Sequence, residues 1–242
     1  MRINFLKKLR KFLKKTFFFE ILSNFFFKPK TSFSENFGED LFVENYFKEK
    51  SYGIYVDVGC NQPVKNSLTY KLHKKGWKGI NIDISSRCID LHNFYRNSAI
   101  NYNLAVGSEK KKINAYFFFN NFSMNTVDGK FKNYAEKSVR KKSSIKIIQQ
   151  LCLDEVLKKN YISKIDYLNI DVEGHEIEVL KGFDVSKYKP SLVSIEIHDE
   201  KCPPDDNDIF KYFIKNKFLL TSIYGYTYFF ELNRNKNIHF NI

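Results

Sequence analysis

The sequence of 242 residues lacks the cysteine spacing of a zinc site. Its four cysteines are far apart and lie in or near apolar runs: Cys60, Cys88, Cys152 and Cys202. Disulfides are rare in a reducing compartment, whereas isolated thiols are common in protein cores. We therefore expect reduced cysteines and a cytoplasmic protein.

Long apolar runs are also missing. Glu20 and Asn24 interrupt the most apolar stretch of the N-terminus, which leaves it too short to span a bilayer. No small-residue cleavage site follows Phe25-Phe26-Phe27, which disfavours a secretory signal. With 43% hydrophobic residues, the chain has the length and composition of one sizeable packed domain.

The net charge of +13 is concentrated at the N-terminus. Residues 1–30 contain nine bases and one acid, against 31 bases and 26 acids in residues 31–242. The arm, as we call residues 1–30, also places apolar residues at helical spacing: Phe5, Leu9, Phe12, Leu13, Phe17 and Ile21. This make-up predicts either peripheral contact with an anionic membrane, at its inner face, or a helix that packs on the domain of residues 31–242.

Strands and helices alternate along that domain. Five apolar runs predict strands, at 54–58, 79–84, 100–106, 165–172 and 192–197. Such alternation predicts parallel strands with right-handed crossovers. The last two runs, 218–223 and 227–232, are joined by a turn so short that they must pair antiparallel. A parallel unit that ends in an antiparallel hairpin is typical of Rossmann-like methyltransferases, whereas dehydrogenases keep the sheet parallel throughout.

The first two predicted strands carry the signature of a nucleotide-like ligand. Asp57 lies on the first strand, and Gly59 breaks the apolar run that contains it. Asp83 ends the second strand, where doubly wound folds place the carboxylate that binds ribose. This pattern alone also fits a purely structural turn.

Residues 113–150 are the least regular part of the sequence. Ile113–Phe119 predicts a strand, whereas Asn120–Thr126 and the basic segment Lys137–Ser144 predict surface loops or a mobile lid. Insertions of this kind often cover the substrate of an α/β enzyme, although a solvated connector fits the basic segment equally well.

Acids and histidines follow two later strands at matching positions. Asp171 and Glu173 come at the end of the fourth strand, and His175 begins the helix after it. Glu196 and His198 repeat the spacing on the next strand. If the two strands are neighbours, these groups converge at the carboxyl edge of the sheet, where ligands of open α/β sheets bind.

Three interpretations of these groups remain open. Acids in the first turn can simply cap a helix, which is our interpretation of Glu176 and the alternative for Glu173. Asp171 follows an apolar run, which favours a functional role. A divalent metal held by Asp171, Glu173 and His198 is the alternative that we do not favour, although hard carboxylate ligands suit magnesium.

Several stretches together resemble the FkbM family of S-adenosylmethionine-dependent methyltransferases. They are Asp-Val-Gly-Cys-Asn at 57–61, Lys-Lys-Gly-Trp-Lys-Gly-Ile-Asn-Ile-Asp at 74–83, Leu-Cys-Leu-Asp-Glu-Val-Leu at 151–157, the block at 165–182 that contains Asp-Val-Glu-Gly-His-Glu, and Ser-Glu-Asn-Phe-Gly-Glu-Asp at 34–40. The similarity covers about residues 31–232 and leaves out the arm.

The resemblance implies a seven-stranded, mostly parallel α/β sheet with an antiparallel C-terminal hairpin, and S-adenosylmethionine as the cofactor. The candidate catalytic residues, Asp171, His175, Glu173 and His198, come from the expected convergence of acids and histidines opposite the cofactor loop. The resemblance also implies six cofactor-binding residues: Asp57, Gly59 and Asn61 around the methionine portion, Asp83 on the ribose hydroxyls, Glu39 at the amino end and Ala105 near the adenine. Cys60 and Leu68 depart from the residues usual at their positions in the family.

The expected reaction is O-methylation of a hydroxyl, on a sugar of a surface glycan or glycolipid, with Asp171 or His175 as the base. Two rivals remain. An NAD-dependent oxidoreductase is disfavoured by the hairpin and by the incomplete Gly-x-Gly-x-x-Gly pattern. A methyltransferase or binding module directed at RNA or other nucleic acid is disfavoured because no Asn/Asp-Pro-Pro-Tyr motif is present and most excess charge lies in the arm.

Overall fold

The computed structural model describes residues 16–29, 31–34, 37–118, 122–198 and 206–233. Its helices are α1 Phe17–Phe25, α2 Glu39–Tyr46, α3 Tyr70–Lys74, α4 Ser86–Tyr95, α5 Gly129–Val139, α6 Leu153–Lys159, α7 Glu176–Lys181, α8 Val185–Tyr188 and α9 Asp208–Lys215. Its strands are β1 Ile54–Val58, β2 Lys78–Asp83, β3 Ile100–Asn103, β4 Ala105–Val106, β5 Lys111–Phe117, β6 Ser144–Leu151, β7 Tyr167–Ile170, β8 Leu192–Glu196, β9 Phe218–Tyr224 and β10 Thr227–Leu232.

A seven-stranded sheet organises the domain, in the order β3-β2-β1-β7-β8-β10-β9. The first five strands in this order pair parallel to one another. β10 pairs antiparallel with both β8 and β9, since the turn at Gly225 leaves no room for a crossover. The predicted α/β fold, with a mostly parallel sheet and an antiparallel C-terminal hairpin, is confirmed. The chain order reverses beside β1, so the carboxyl ends of β1 and β7 form the switch point where such sheets bind ligands.

Both faces of the sheet are buried, which explains why its strands are near-continuous apolar runs. On β1, Val56 packs in the larger core with residues of α6, α7 and α9, whereas Tyr55 faces the smaller core with Val43 of α2 and Leu72 of α3. Each fully buried Leu, Ile or Val contributes about 1.5–3 kcal/mol relative to an exposed one. This two-sided packing fixes the strand ends that carry the predicted site residues.

The structure corrects the prediction for residues 113–150. The segment contains α5 and most of β6, and β6 joins β4 and β5 in a separate three-stranded sheet. The basic stretch predicted as loop or lid is instead the end of α5, a turn and the start of β6. The pattern misled because β6 is solvent-exposed over most of its length, with Ile145 and Ile147 both outward, so it lacks the alternation of a half-buried strand. Backbone pairing along all of β5 holds it.

The predicted third strand also divides in two. Residues 100–103 form β3 at the edge of the main sheet, and 105–106 form β4 in the small sheet. Leu104 lies between them and is buried in the larger core. This division turns the chain across the carboxyl edge, so Ala105 lies beside the end of β2.

α1 docks on the domain by its polar edge. Asn24 is buried, and its amide donates to the side chain of Gln62 at 2.8 Å. Glu20 pairs with Arg87, and Ser23 accepts from Lys65. Residues 1–15 and 30 of the arm lie outside the described residues. No helix in the described ranges is long and apolar enough to cross a bilayer.

The cysteines of the described chain are unpaired, in agreement with the prediction. Cys60 and Cys88 are buried, and Cys152 is partly buried ahead of α6. Burial raises the pKa of the Cys60 thiol well above its ordinary value, which favours the protonated, unreactive form. Cys202 lies outside the described residues.

Candidate active site

A cavity opens at the carboxyl ends of β1, β2 and β7, at the switch point of the sheet. Its wall includes predicted cofactor residues, Gly59, Asn61, Asp83 and Ala105, and predicted catalytic residues, Asp171, Glu173 and His175. A second cavity adjoins it and is lined by Glu39, Asp57, Glu196 and Thr227 among others. Gly59, Asn61, Ser123 and Asp171 line both. The fold therefore brings the predicted site residues to one continuous cleft, with His198 just outside the lining.

Gly59 is required where β1 ends. Its φ is +83°, a conformation that L side chains rarely adopt, and an added Cβ would lie 1.6 Å from the backbone oxygen of Asp171. Its N–H donates to Ile82 of β2 at 2.8 Å. From the sequence, we expected this glycine to let the backbone of the loop come close to the ligand. The structure adds that β1 and β7 meet so closely here that no side chain fits between them.

Asp57 is a buried brace beneath the loop that follows β1. Thr69 donates to one of its oxygens at 2.5 Å and Asn169 donates to the other at 2.9 Å. Burial raises the pKa of the Asp57 carboxyl, against the opposing charge of Arg96. Asp57 thus holds β1, β7 and the start of α3 in register and shapes the loop mainly through these contacts.

Arg96 fixes the same loop and was missed by sequence reasoning. Its guanidinium is fully buried and donates to the Pro63 carbonyl, at 2.9 Å from Nε, and to Ser67 and Thr69. A charged group is stable in such a place only because it is hydrogen-bonded on all sides. An arginine at the end of an amphipathic helix resembles a surface residue, so its role could not be predicted from the sequence.

Asp83 is held as a double acceptor at the end of β2. The backbone N–H of Asn61 donates to one oxygen at 2.9 Å, and that of Ser85 donates to the other at 2.7 Å. Burial raises the pKa of Asp83 to about 6. At neutral pH it is ionised, and each oxygen can accept a further hydrogen bond from a ligand hydroxyl.

Glu39 and Ala105 lie at opposite ends of the cleft. Glu39 is buried at the start of α2 and accepts a hydrogen bond from Ser34. Its neighbour Asp40 is paired with Lys71 at 3.2 Å, which anchors the helix to α3. Ala105 is buried at the Asp83 end and leaves room beside it.

Acids and one histidine converge beyond Asp171, as the two-residue spacing predicted. The side-chain nitrogen Nε2 of His198 lies 2.9 Å from Glu196 and 3.7 Å from Glu173. Burial would lower the pKa of His198, but its two carboxylate partners outweigh burial and raise it to about 10. His198 is therefore an imidazolium at neutral pH, which suits it to hold the acids and not to remove a proton.

Asp171 lies exposed to the cleft at the junction of the two cavities. Removal from bulk water, followed by the charges of Glu196 and Glu173, raises its pKa well above the ordinary value. Burial raises the pKa of Glu173 to about 7, although His198 opposes it. Glu196 was noted in the sequence but not named as a site residue; the structure places it between Asp171 and His198.

One group of three could hold a metal ion within the described chain. It consists of Glu173, Glu196 and His198, whose ligand atoms lie within 4.8 Å of one another. The set considered from the sequence had Asp171 in place of Glu196. His198 would have to lose its proton before it could bind a metal, and its raised pKa opposes this.

His175 lies apart from this cluster, at the wall formed with β6. Its Nε2 is 3.3 Å from the amide oxygen of Gln150, an acceptor, so Nε2 carries the proton and Nδ1 is left as a base. Burial lowers the pKa of His175, which keeps it neutral. Glu176 accepts from the backbone N–H groups of Val172 and Gly174 at 3.1 Å, so it has a structural role, but it braces the turn before α7 instead of capping that helix.

The segment 122–128 covers the cleft and supplies Ser123, Asn125 and Val127 to its wall. Asn125 is 8% exposed; its oxygen accepts from Phe118, but its Nδ2 has no partner among the described residues. A buried donor without a partner costs about 1–3 kcal/mol, and a ligand acceptor in the cleft would remove that cost. Sequence reasoning placed a lid here but named none of these residues.

Comparison with known proteins gives one family and two individual matches. Residues 57–228 match the family profile described as methyltransferase FkbM domain. A stretch of 58 residues is 36% identical to the hexuronic acid methyltransferase AglP of Haloferax volcanii and spans only 24% of each chain. A solved structure from Pyrococcus horikoshii, assigned as an RNA methyltransferase, aligns over 88% of this chain and 96% of its own, with 11% identity and a TM-score of 0.42. The fold rests on the strand order and not on that likeness.

Proposed function

Since this chain belongs to the FkbM methyltransferase family, we propose that it transfers the methyl group of S-adenosylmethionine to a hydroxyl oxygen of a sugar. The observation that carries the proposal is the continuous cleft that runs from Asp83 and Ala105 at one end, past Asp171, to Glu39 at the other. One end suits a nucleoside, the other presents carboxylates, and the loop between them is fixed by Gly59.

The residues present fit this cofactor. Asp83 has a free acceptor position on each oxygen for the ribose hydroxyls, Ala105 leaves space for the adenine, and Glu39 can pair with the ammonium group. The unpartnered Nδ2 of Asn125 would donate to an acceptor of the bound nucleoside. The incomplete glycine pattern is no obstacle, because the molecule has no phosphates to bind.

When bound, S-adenosylmethionine supplies a methyl group already activated on a sulfonium sulfur, so the chain has only to align the hydroxyl and accept its proton. Asp171 is the residue we assign as base, because it lies where the two cavities join. Its raised pKa makes the carboxylate a stronger base than an ordinary aspartate, and Glu196 beside it can share the proton. The O–C bond forms as the S–C bond breaks, and the hydroxyl proton passes to Asp171.

Asp171→Asn tests this assignment. We expect kcat to fall by about 10²–10⁴ while the Kd for S-adenosylmethionine, measured by calorimetry, changes by less than about threefold. His175→Gln is the matched comparison and should keep most of the turnover. Full turnover in Asp171→Asn with a loss in His175→Gln would transfer the role of base to His175.

The assignment of a sugar as acceptor is supported by the hexuronic acid methyltransferase, which acts on a carbohydrate by its name, although the match is short. It is also supported by carboxylates that line the second cavity, such as Asp171 and Glu196, since such groups accept hydrogen bonds from vicinal hydroxyls. Mass spectrometry of surface glycans from cells with and without the gene should show the loss of one methyl from a particular sugar. Unchanged glycan methylation, with intact cofactor binding, would reject the sugar.

For the arm we propose contact with an anionic membrane surface. α1 turns its polar residues toward the domain and leaves Phe18, Phe25 and Phe26 more than 60% exposed. An aromatic face next to a segment with seven bases among its first 15 residues complements a negatively charged lipid surface. This contact would hold the enzyme at the inner face of the membrane.

A further inference from the structure

The cleft is acidic although the protein as a whole is basic. The chain carries a net charge of +13, yet no Lys or Arg is among the described residues that line either cavity. Six carboxylates line them: Glu39, Asp57, Asp83, Asp171, Glu173 and Glu196. A narrow cleft lined by one sign of charge selects the charge of what enters it.

His198 is the positively charged residue that lies beside Glu173 and Glu196 in the described chain, and its charge is already paired with them. Glu196 and Glu173 both lie within 4.0 Å of its ring nitrogen, so its charge is balanced inside the protein. An anion placed beside Asp171 would therefore meet carboxylates without a free counter-charge in the described wall.

Aromatic rings flank this end of the cleft. The ring of Phe131, on α5, lies 5.5 Å from that of His198, and the ring of Tyr226, in the terminal hairpin, lies 5.1 Å from it. Flat apolar faces beside hydrogen-bond acceptors suit a sugar ring, which has an apolar face and an edge of hydroxyls. These rings lie beside His198, next to the carboxylates of the wall, and these surroundings suit hydroxyl donors and offer nothing to an acidic group.

We propose, on the basis of the methyl transfer proposed above, that the acceptor ring is a neutral or amine-bearing sugar, and that sugars with a carboxylate, phosphate or sulfate on that ring are rejected. Hydroxyl or ammonium donors would pair with Glu173 and Glu196, whereas an acidic group would be desolvated against like charges. Glu196 and Glu173 both interact electrostatically with Asp171, so an acidic group placed there would face like charges. The negative charge of the wall would thus exclude uronic acids as acceptors.

The test labels a pool of surface glycan with S-adenosylmethionine that carries a radioactive methyl group. After labelling by the full chain, the glycan is hydrolysed and its sugars are separated by charge on an ion-exchange column. We expect the label in neutral or cationic sugars. Label mainly in acidic sugars would overturn the inference but leave the proposed O-methylation standing. No label in any sugar, with cofactor binding intact by calorimetry, would reject the proposed function and this inference with it.

Thr227→Lys sharpens the test, with Thr227→Met as a control of similar size. Thr227 lines the cavity at the start of β10, opposite Glu196, and can be changed without removing a carboxylate. The lysine should raise the kcat/KM for a hexuronide relative to the matching hexoside by at least about tenfold, and the methionine should not. Equal ratios in wild type, Thr227→Lys and Thr227→Met would show that charge does not select the acceptor.

Discussion

The cleft and the N-terminal helix α1 distribute their polar and apolar residues in opposite ways. In the cleft, acids are concentrated inside a basic protein and are held by hydrogen-bonding partners such as Thr69, which donates to Asp57, and His198, which pairs with Glu196. In α1, the polar edge is turned inward and Phe18 and Phe25 are left outside. Each region departs from the usual rule of apolar inside and polar outside.

The difference lies in what stabilises each departure. The cleft is fixed by hydrogen bonds within the domain, so its acids persist without a ligand. α1 is held by a few contacts, of which the Asn24 amide is the buried one, and its aromatic face has no protein against it in the described residues. We therefore expect changes in the cleft to affect cofactor affinity strongly, and changes on the outer face of α1 to affect neither affinity nor folding.

The largest effect is expected from Gly59→Ala. The added methyl would overlap the Asp171 carbonyl, at a φ of +83°, so we expect a loss of about 3–5 kcal/mol of unfolding free energy and no measurable cofactor binding. Gly76→Ala is the matched control, because its φ is +87° but no atom lies within 4 Å. It should cost only about 1–2 kcal/mol, from conformational strain. Equal losses in denaturant titrations would show that the close approach to β7 is not rigid.

Asp83→Asn should act on affinity and leave the fold intact. Loss of the charged acceptor should raise the Kd for S-adenosylmethionine about 10- to 100-fold at pH 7.5, measured by calorimetry. The wild-type affinity should fall as the pH drops through about 6, where Asp83 gains its proton, whereas the variant should show no such dependence. If the affinity of the wild type stayed the same from pH 8 to pH 5, the assignment of Asp83 would be contradicted.

Ionisation of Asp83 should raise the affinity for the cofactor but lower the stability of the folded protein. The pKa of Asp83 is raised in the folded state, so the ionised carboxylate destabilises the folded protein as pH rises through 3.8 toward 6. Asp83→Asn should therefore unfold at the same or a higher temperature than the wild type at pH 7.5. A lower unfolding temperature would show that the bonds from Asn61 and Ser85 to the ionised form matter more than its burial.

Asn24→Ala breaks the inner edge of α1. Its side chain donates to Gln62 and accepts from the backbone of Lys65, so its loss should cost about 1–2 kcal/mol. Because Gln62 follows the cofactor loop, we also expect a threefold or greater rise in the Kd for S-adenosylmethionine. Ser23→Ala is the matched control and should change both quantities less, since Ser23 contacts only the flexible end of Lys65. An unchanged unfolding transition in Asn24→Ala would mean that α1 is not docked.

The smallest effect on the fold is expected from Phe18→Ser combined with Phe25→Ser. Both side chains are 66% exposed, so the free energy of unfolding should change by less than about 0.5 kcal/mol. Flotation with liposomes that contain anionic lipid should nevertheless fall at least about tenfold, because the aromatic rings no longer enter the interface. Equal flotation of the variant, the wild type and a chain of residues 31–242 would reject the proposed membrane contact.

Much of the fold follows from the sequence because its signals are local. The apolar runs of β1, β7 and β8 and the short turn at Gly225 identify the main sheet without knowledge of tertiary contacts. β6 was missed because an exposed strand in a small sheet depends on pairing with β5, which no local pattern records.

The candidate site was predicted where chemistry and position coincide. The two-residue spacing of Glu196 and His198 indicated the acid cluster before the strand order was known. The positive φ of Glu173, 56°, was not predictable, and it turns that side chain away from simple strand alternation. Arg96 and Asn125 could not be found from the sequence, because their roles depend on groups that meet only in the folded chain.

The contact between Gly59 and the Asp171 carbonyl has a consequence for how this enzyme could diversify. The proposed cofactor loop and the proposed base share one backbone contact with no space between them. A substitution that shifts the end of β7 to fit another acceptor would also displace the cofactor loop. New acceptor preferences should therefore arise in the segment 122–128 and the hairpin near Tyr226, which border the cleft without crossing that contact.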